Sequence, residues 1–99
     1  MARIVYIGGE ATAAGFRLAG LDVRTCEASD ASVLLRQALA ERPDCVFLEG
    51  TLCDAVPPAL LASALAGDAP LFAVVPDVRG RGAPANLVHY VRGALGIEA

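Results

Sequence analysis

The sequence predicts an α/β fold: a small parallel four-stranded sheet of the Rossmann-like or flavodoxin-like (βα)4 kind. The expected strand order is 2-1-3-4, with helices on both faces. Three observations predict it. Four short apolar runs alternate with four stretches of helical periodicity. Glycine or proline punctuates nearly every junction between them. The length of 99 residues suits one domain, and an apolar content of 56% is ample for a packed core. Strand–helix alternation then implies right-handed crossovers, and hence parallel strands.

The first strand is expected over Arg3–Ile7, whose unbroken apolar run suits burial on both faces. Gly8 and Gly9 end it in a tight turn. A short helix follows over about Ala11–Ala19, with Phe16, Leu18 and Ala19 available to the core. Gly20 stops it, because glycine takes a left-handed cap conformation cheaply. Leu21–Thr25 is the second strand, its charges Asp22 and Arg24 alternating with Leu21 and Val23 as befits an edge. Ser29 or Asp30 can cap the next helix, Ala31–Glu41. Its apolar stripe is Leu34, Leu35, Ala38 and Leu39, and Pro43 prevents continuation.

Cys45–Leu48 is the third strand and Glu49–Asp54 a loop. Pro57 and Pro58 suit the first turn of a third helix. Leu60, Leu61, Ala64 and Leu65 form its buried face, and Gly67 ends it. Leu71–Val75 is the fourth strand. Pro76–Pro84 holds two prolines and two glycines with Arg79 and Arg81, and reads as a loop or hinge. The last helix is expected over Ala85–Leu95. The organisation is thus a core over residues 1–76, a connection over 77–84, and a C-terminal helical segment over 85–99 of the same domain.

Composition excludes several functions. The net charge is -3 and no basic patch is visible, which argues against nucleic-acid binding. All eight positive residues are arginine, so any mechanism needing a lysine is closed, including a P-loop or a Schiff base. The apolar run near the N-terminus is too short for a signal peptide or a membrane span, so the chain is expected to be cytoplasmic. Cys26, Cys45 and Cys53 have no metal-ligand spacing and read as reduced thiols.

Ligands in this fold bind beyond the carboxyl ends of the strands. The residues there are Gly8, Gly9, Glu10, Glu49, Gly50, Thr51, Pro76 and Asp77. Gly8-Gly9 lacks the dinucleotide-binding spacing. A phospho-receiver needs an acidic pair after the first strand, an aspartate after the third and a lysine after the last. This chain offers Glu10, Glu49 and no lysine. Only Cys53, expected before a helix N-terminus, has electrostatic help toward reactivity. His89 stands alone on the last helix and makes no metal site. The aspartates sit at turns and caps, with no pair placed for acid–base work. No catalytic residue, cofactor or metal site is expected.

What remains distinctive is the stretch Ile7-Gly8-Gly9-Glu10-Ala11-Thr12-Ala13-Ala14-Gly15-Phe16-Arg17-Leu18-Ala19-Gly20. It resembles the opening of the F subunit of V-type and A-type rotary ATPases: a strand, Gly-Asp, a threonine, then Gly-Phe-x-Leu-Ala-Gly. Thr12, Gly15, Phe16, Leu18, Ala19 and Gly20 fall in the matching places. Tyr90-Val91-Arg92 and Gly96-Ile97-Glu98 resemble the family's closing helix and tail. Gly9 departs from the pattern, standing where the family has aspartate. The resemblance implies a non-catalytic component of the central rotor stalk, peripheral to the membrane within the ATPase complex. Its implied partner is the coiled-coil D subunit of the rotor, with the catalytic head reached through the C-terminal helix. Its implied role is coupling or regulating ATP hydrolysis, ATP synthesis and ion transport, without nucleic acid or membrane insertion.

Two features stay open in the sequence. Gly15 lies inside a helix, where glycine costs up to about 1 kcal/mol against alanine. Either close packing, on the sheet or on a partner, or simple shortening of the helix accounts for it. The stripe Leu87, Tyr90, Val91 and Leu95 either packs on the sheet or meets a partner. The alternative to a rotor component is a degenerate receiver-like interaction module, in which Glu49 stands in for a phosphorylated residue. A small enzyme or carrier using Cys53 is the third reading.

Overall fold

Ile4, Val5, Tyr6 and Ile7 have no polar side to turn to water, and they form an interior strand, β1 (Ile4–Gly8). The other elements are α1 (Glu10–Leu18), β2 (Asp22–Thr25), α2 (Ala31–Glu41), β3 (Cys45–Glu49), α3 (Pro58–Ala66) and β4 (Leu71–Val75). Short 3-10 turns at Ala28–Asp30 and Gly50–Ala55 lead into α2 and out of β3. This computed structural model describes residues 2–81. Residues 82–84 of the expected connection, the expected helix Ala85–Leu95 and its stripe Leu87, Tyr90, Val91 and Leu95 lie outside the described residues.

The sheet is parallel throughout, with strand order β2-β1-β3-β4 as the alternation predicts. Register aligns apolar residues in rows across the strands. Val5 pairs with Val46, which pairs with Phe72. Ile7 pairs with Leu48, which pairs with Val74. These side chains share one face, because neighbours across a ladder point the same way. With Ala31, Leu35 and Ala38 of α2 and Leu61 and Ala64 of α3 they make the main core. The row Tyr6, Phe47 and Ala73 faces the opposite side. There α1 covers it through Phe16, which stacks on Tyr6 at 4.4 Å between centroids and tilts toward Phe47 at 6.1 Å.

Several local expectations are corrected. Leu18 does not enter the core: it is 91% exposed, because α1 turns only Thr12, Ala13 and Phe16 inward. Ala19 is exposed as well, and Leu65 is only partly covered. Neither Ser29 nor Asp30 caps α2 through its side chain; the 3-10 turn Ala28–Asp30 runs directly into the helix. Glu49 belongs to β3 rather than to a loop. Gly20 does adopt the left-handed conformation, at φ 89°. Gly67, by contrast, is extended after α3.

At the amino ends of the strands, charged side chains bind the edge strand to α2. The Arg24 guanidinium donates to Glu41 at 2.6 and 2.8 Å and to Asp22 at 3.0 Å. Arg3 donates to both acids as well, so β1, β2 and the end of α2 share one ion-pair network. Among the described residues, no helix is long and apolar enough to cross a membrane.

Candidate functional site

The strand order reverses between β1 and β3, and their carboxyl ends define the crevice where such folds take ligands. Here the crevice is filled from within. Glu49, the last residue of β3, is buried, and its carboxylate lies at the start of α1. The Gly9 N–H donates to one carboxylate oxygen at 2.8 Å, and the Thr12 hydroxyl donates to the other at 3.1 Å. Gly9 is the N-cap of α1 and offers no side chain of its own. A glutamate often reaches back to the N-cap N–H from within its own helix. In this chain the carboxylate comes from a neighbouring strand instead. It also answers the positive end of the helix dipole, a position that favours an anion.

Gly8 is required by contact rather than by backbone freedom, which corrects the tight-turn expectation. A Cβ placed there would overlap the Tyr6 hydroxyl and stand 2.9 Å from the Cβ of Glu49. The Tyr6 side chain rises beneath Gly8 from two residues earlier on the same strand. Its hydroxyl is buried, with no hydrogen-bond partner among the described residues. Burial, helped by the charge of Glu49, pushes this phenol up to about 12. It is therefore a neutral group at ordinary pH.

A second buried carboxylate closes the crevice on the β4 side. Asp77 accepts hydrogen bonds from the N–H groups of Arg79 and Arg81 at 2.9 and 2.8 Å, and from the Arg81 guanidinium at 2.6 Å. Burial pushes its carboxyl up, but these donors outweigh burial and hold it below the usual carboxylate range. The described part of the Pro76–Pro84 segment is thus an ordered turn, with Gly80 at φ 79°. The Val78 N–H donates to the Thr12 hydroxyl at 3.0 Å. Thr12 therefore joins the ends of three elements: α1, β3 and the turn after β4. A cleft of about 380 Å³ lies over these groups, lined by Glu10, Thr51 and Arg79 as well.

Both buried carboxylates spend their oxygens on the protein's own donors. Among the described residues no cluster of His, Cys, Asp and Glu is able to hold a metal ion. Cys53 is buried within the 3-10 turn Gly50–Ala55, not poised before a helix. Burial pushes its thiol up to about 11, far from a reactive thiolate. Cys26 and Cys45 are raised by burial too. His89 lies outside the described residues.

The residues singled out in the sequence divide among three places. Thr12 is in the crevice, and Phe16 is under α1 against Tyr6. Gly15 and Leu18 lie on the outer face of α1, and beyond its chain neighbours and the backbone of its own helix no described atom comes within 4 Å of a Cβ built on Gly15. The sheet therefore gives no packing reason for Gly15. Sequence reasoning did not find Glu49 as the cap of α1. The available signal was a glutamate ending an apolar strand at the switch point. The sequence matches no family model and no curated protein at a significant level.

Proposed function

We propose that the chain is a non-catalytic component of the rotor stalk of a V/A-type ATPase, where it binds the coiled-coil D subunit. In that role it takes part in coupling or regulating ATP turnover and ion transport. One observation carries the reading. The outer face of α1 presents Ala11, Ala14, Gly15 and Leu18, all exposed and spaced as one side of a helix. Small residues allow another helix to approach closely, and the 91% exposed Leu18 supplies an apolar anchor. The Glu10–Arg17 ion pair, 2.8 Å long, adds charge at the helix surface. This face falls within the stretch that resembles the rotary-ATPase F subunit. The Glu49 and Asp77 carboxylates, each engaged by the protein's own donors, fit a role in binding.

Co-expression with the coiled-coil rotor protein of the same organism tests it. A co-eluting one-to-one complex is expected, and Leu18→Asp should abolish it while leaving the free chain folded. Two folded chains that do not associate would overturn the reading.

Glu49 favours a second reading, the degenerate receiver-like module. Its carboxylate occupies the crevice as a fixed anion, held by the Gly9 N–H and the Thr12 hydroxyl. That reading predicts a signalling partner and no affinity for the coiled-coil rotor protein, so the same co-elution separates the two.

A further inference from the structure

The turn after β4 lies at the end of the described residues, and a hydrogen bond to the Thr12 side chain joins it to α1. We propose that Thr12 is a latch: its hydroxyl, oriented by Glu49, holds the Pro76–Arg81 turn closed over the carboxyl ends of the strands. The polarity of the bonds makes the latch specific. A threonine hydroxyl has one proton to donate. Glu49 accepts the hydrogen bond that this proton makes, because a carboxylate only accepts. The hydroxyl oxygen is thereby left with its lone pairs toward the Val78 N–H, which donates to it at 3.0 Å. Glu49 is held in turn by the Gly9 N–H. The chain Gly9–Glu49–Thr12–Val78 thus runs as one connected path, and each bond orients the next.

The turn is otherwise self-contained. Asp77 gathers the Arg79 and Arg81 N–H groups, the Asp77 N–H donates to the Arg81 carbonyl, and the Gly80 N–H donates to the Asp77 carbonyl. These bonds give the turn its shape but do not attach it to the sheet or to α1. The Val78 side chain is 65% exposed, so apart from the Thr12 bond the turn meets the rest of the chain mainly through the buried Asp77. When the Thr12 bond opens, the turn can move away with its internal bonds intact. Such a segment is a candidate for local opening well below the free energy of global unfolding. Thr12 is a positioning residue in this device, and the device operates in the free chain whatever partner α1 meets.

Amide hydrogen exchange on the full chain tests the latch, with Val5 and Val46 in the central strands reporting global opening. In Thr12→Val, which keeps the shape but removes the hydroxyl, Val78 should exchange about five- to tenfold faster, as expected for one lost hydrogen bond. Val5 and Val46 should change less. Tryptic cleavage after Arg79 should accelerate alongside. Thr12→Ser should restore both readouts. If Thr12→Val does not fold, Thr12→Ala carries the same comparison. Unchanged Val78 exchange would overturn the proposal, and so would an equal rise at Val5 and Val46. Val78 exchange as fast in Thr12→Ser as in Thr12→Val would show that a hydroxyl at this position does not hold the turn, and would overturn it as well.

Discussion

Tyr6 and Gly8 show how one side chain can constrain a sequence position. The Tyr6 hydroxyl occupies the space a Gly8 side chain would need, and it does so without a hydrogen bond among the described residues. Leaving a buried hydroxyl unpaired costs about 1–3 kcal/mol. Tyr6→Phe keeps the stack on Phe16 and deletes only that atom, so it should raise stability by about 1 kcal/mol or more. Gly8→Ala should lower stability by about 1–3 kcal/mol through overlap. Combined, the two changes should cost less than the sum of their separate effects, since the closest of the overlapping atoms is gone while the ring carbon that bears it stays. Denaturant titration of the four proteins closes the cycle, and simple additivity would show that the hydroxyl is not the obstacle. The sequence shows a glycine pair after an apolar strand, and nothing in that pattern distinguishes a turn from a contact. The other close neighbour, Glu49, lies about forty positions away and meets Gly8 only once β1 and β3 pair.

At the scale of the element, α1 combines a buried face fixed by the sheet with an outer face the described core does not use. Thr12, Ala13 and Phe16 turn inward, while Ala14, Gly15 and Leu18 turn out. A helix glycine with open space around it should accept a methyl group. Gly15→Ala should therefore stabilise the free chain by up to about 1 kcal/mol, measured by chemical denaturation. If the outer face meets a coiled coil, the same methyl should weaken the complex, so the two measurements should move in opposite directions. Improved stability together with unchanged binding would place the partner elsewhere. Helical spacing made α1 legible in the sequence, but not which apolar residues it buries. Phe16 and Leu18 are two positions apart and so cannot share a face of a helix. The strands were legible for a simpler reason. An uninterrupted apolar run such as Val5–Ile7 or Val46–Leu48 satisfies both faces of a sheet covered on both sides. The third helix was placed well by Pro57 and Pro58, whereas the cap of α2 was not. A 3-10 turn there takes over the role that Ser29 or Asp30 could have filled.

Across the whole molecule, the carboxyl ends of the strands are tied by buried polar bonds and the amino ends by an exposed ion-pair network. The two ends should respond differently to acid and to salt. Glu41 accepts from Arg24 and Arg3, and these hydrogen bonds hold its carboxyl down at about 2. Asp22 is lowered as well, chiefly by Arg24. A carboxyl depressed in the folded state stabilises the fold while it is ionised. For Glu41 that contribution is complete above its ordinary value near 4.5, and it is lost as pH falls from there toward about 2. The Glu41 and Asp22 side chains are more than a third exposed, so solvent and salt screen much of the attraction. Glu41→Gln should consequently lower the melting temperature at pH 7 and low salt. Its deficit against the parent should shrink in high salt, and it should vanish near pH 2, where the parent carboxyl is itself becoming protonated. A deficit that persists unchanged at pH 2 would mean that Glu41 acts through packing. The network would then be a consequence of the strand order rather than one of the forces holding β2 at the edge of the sheet.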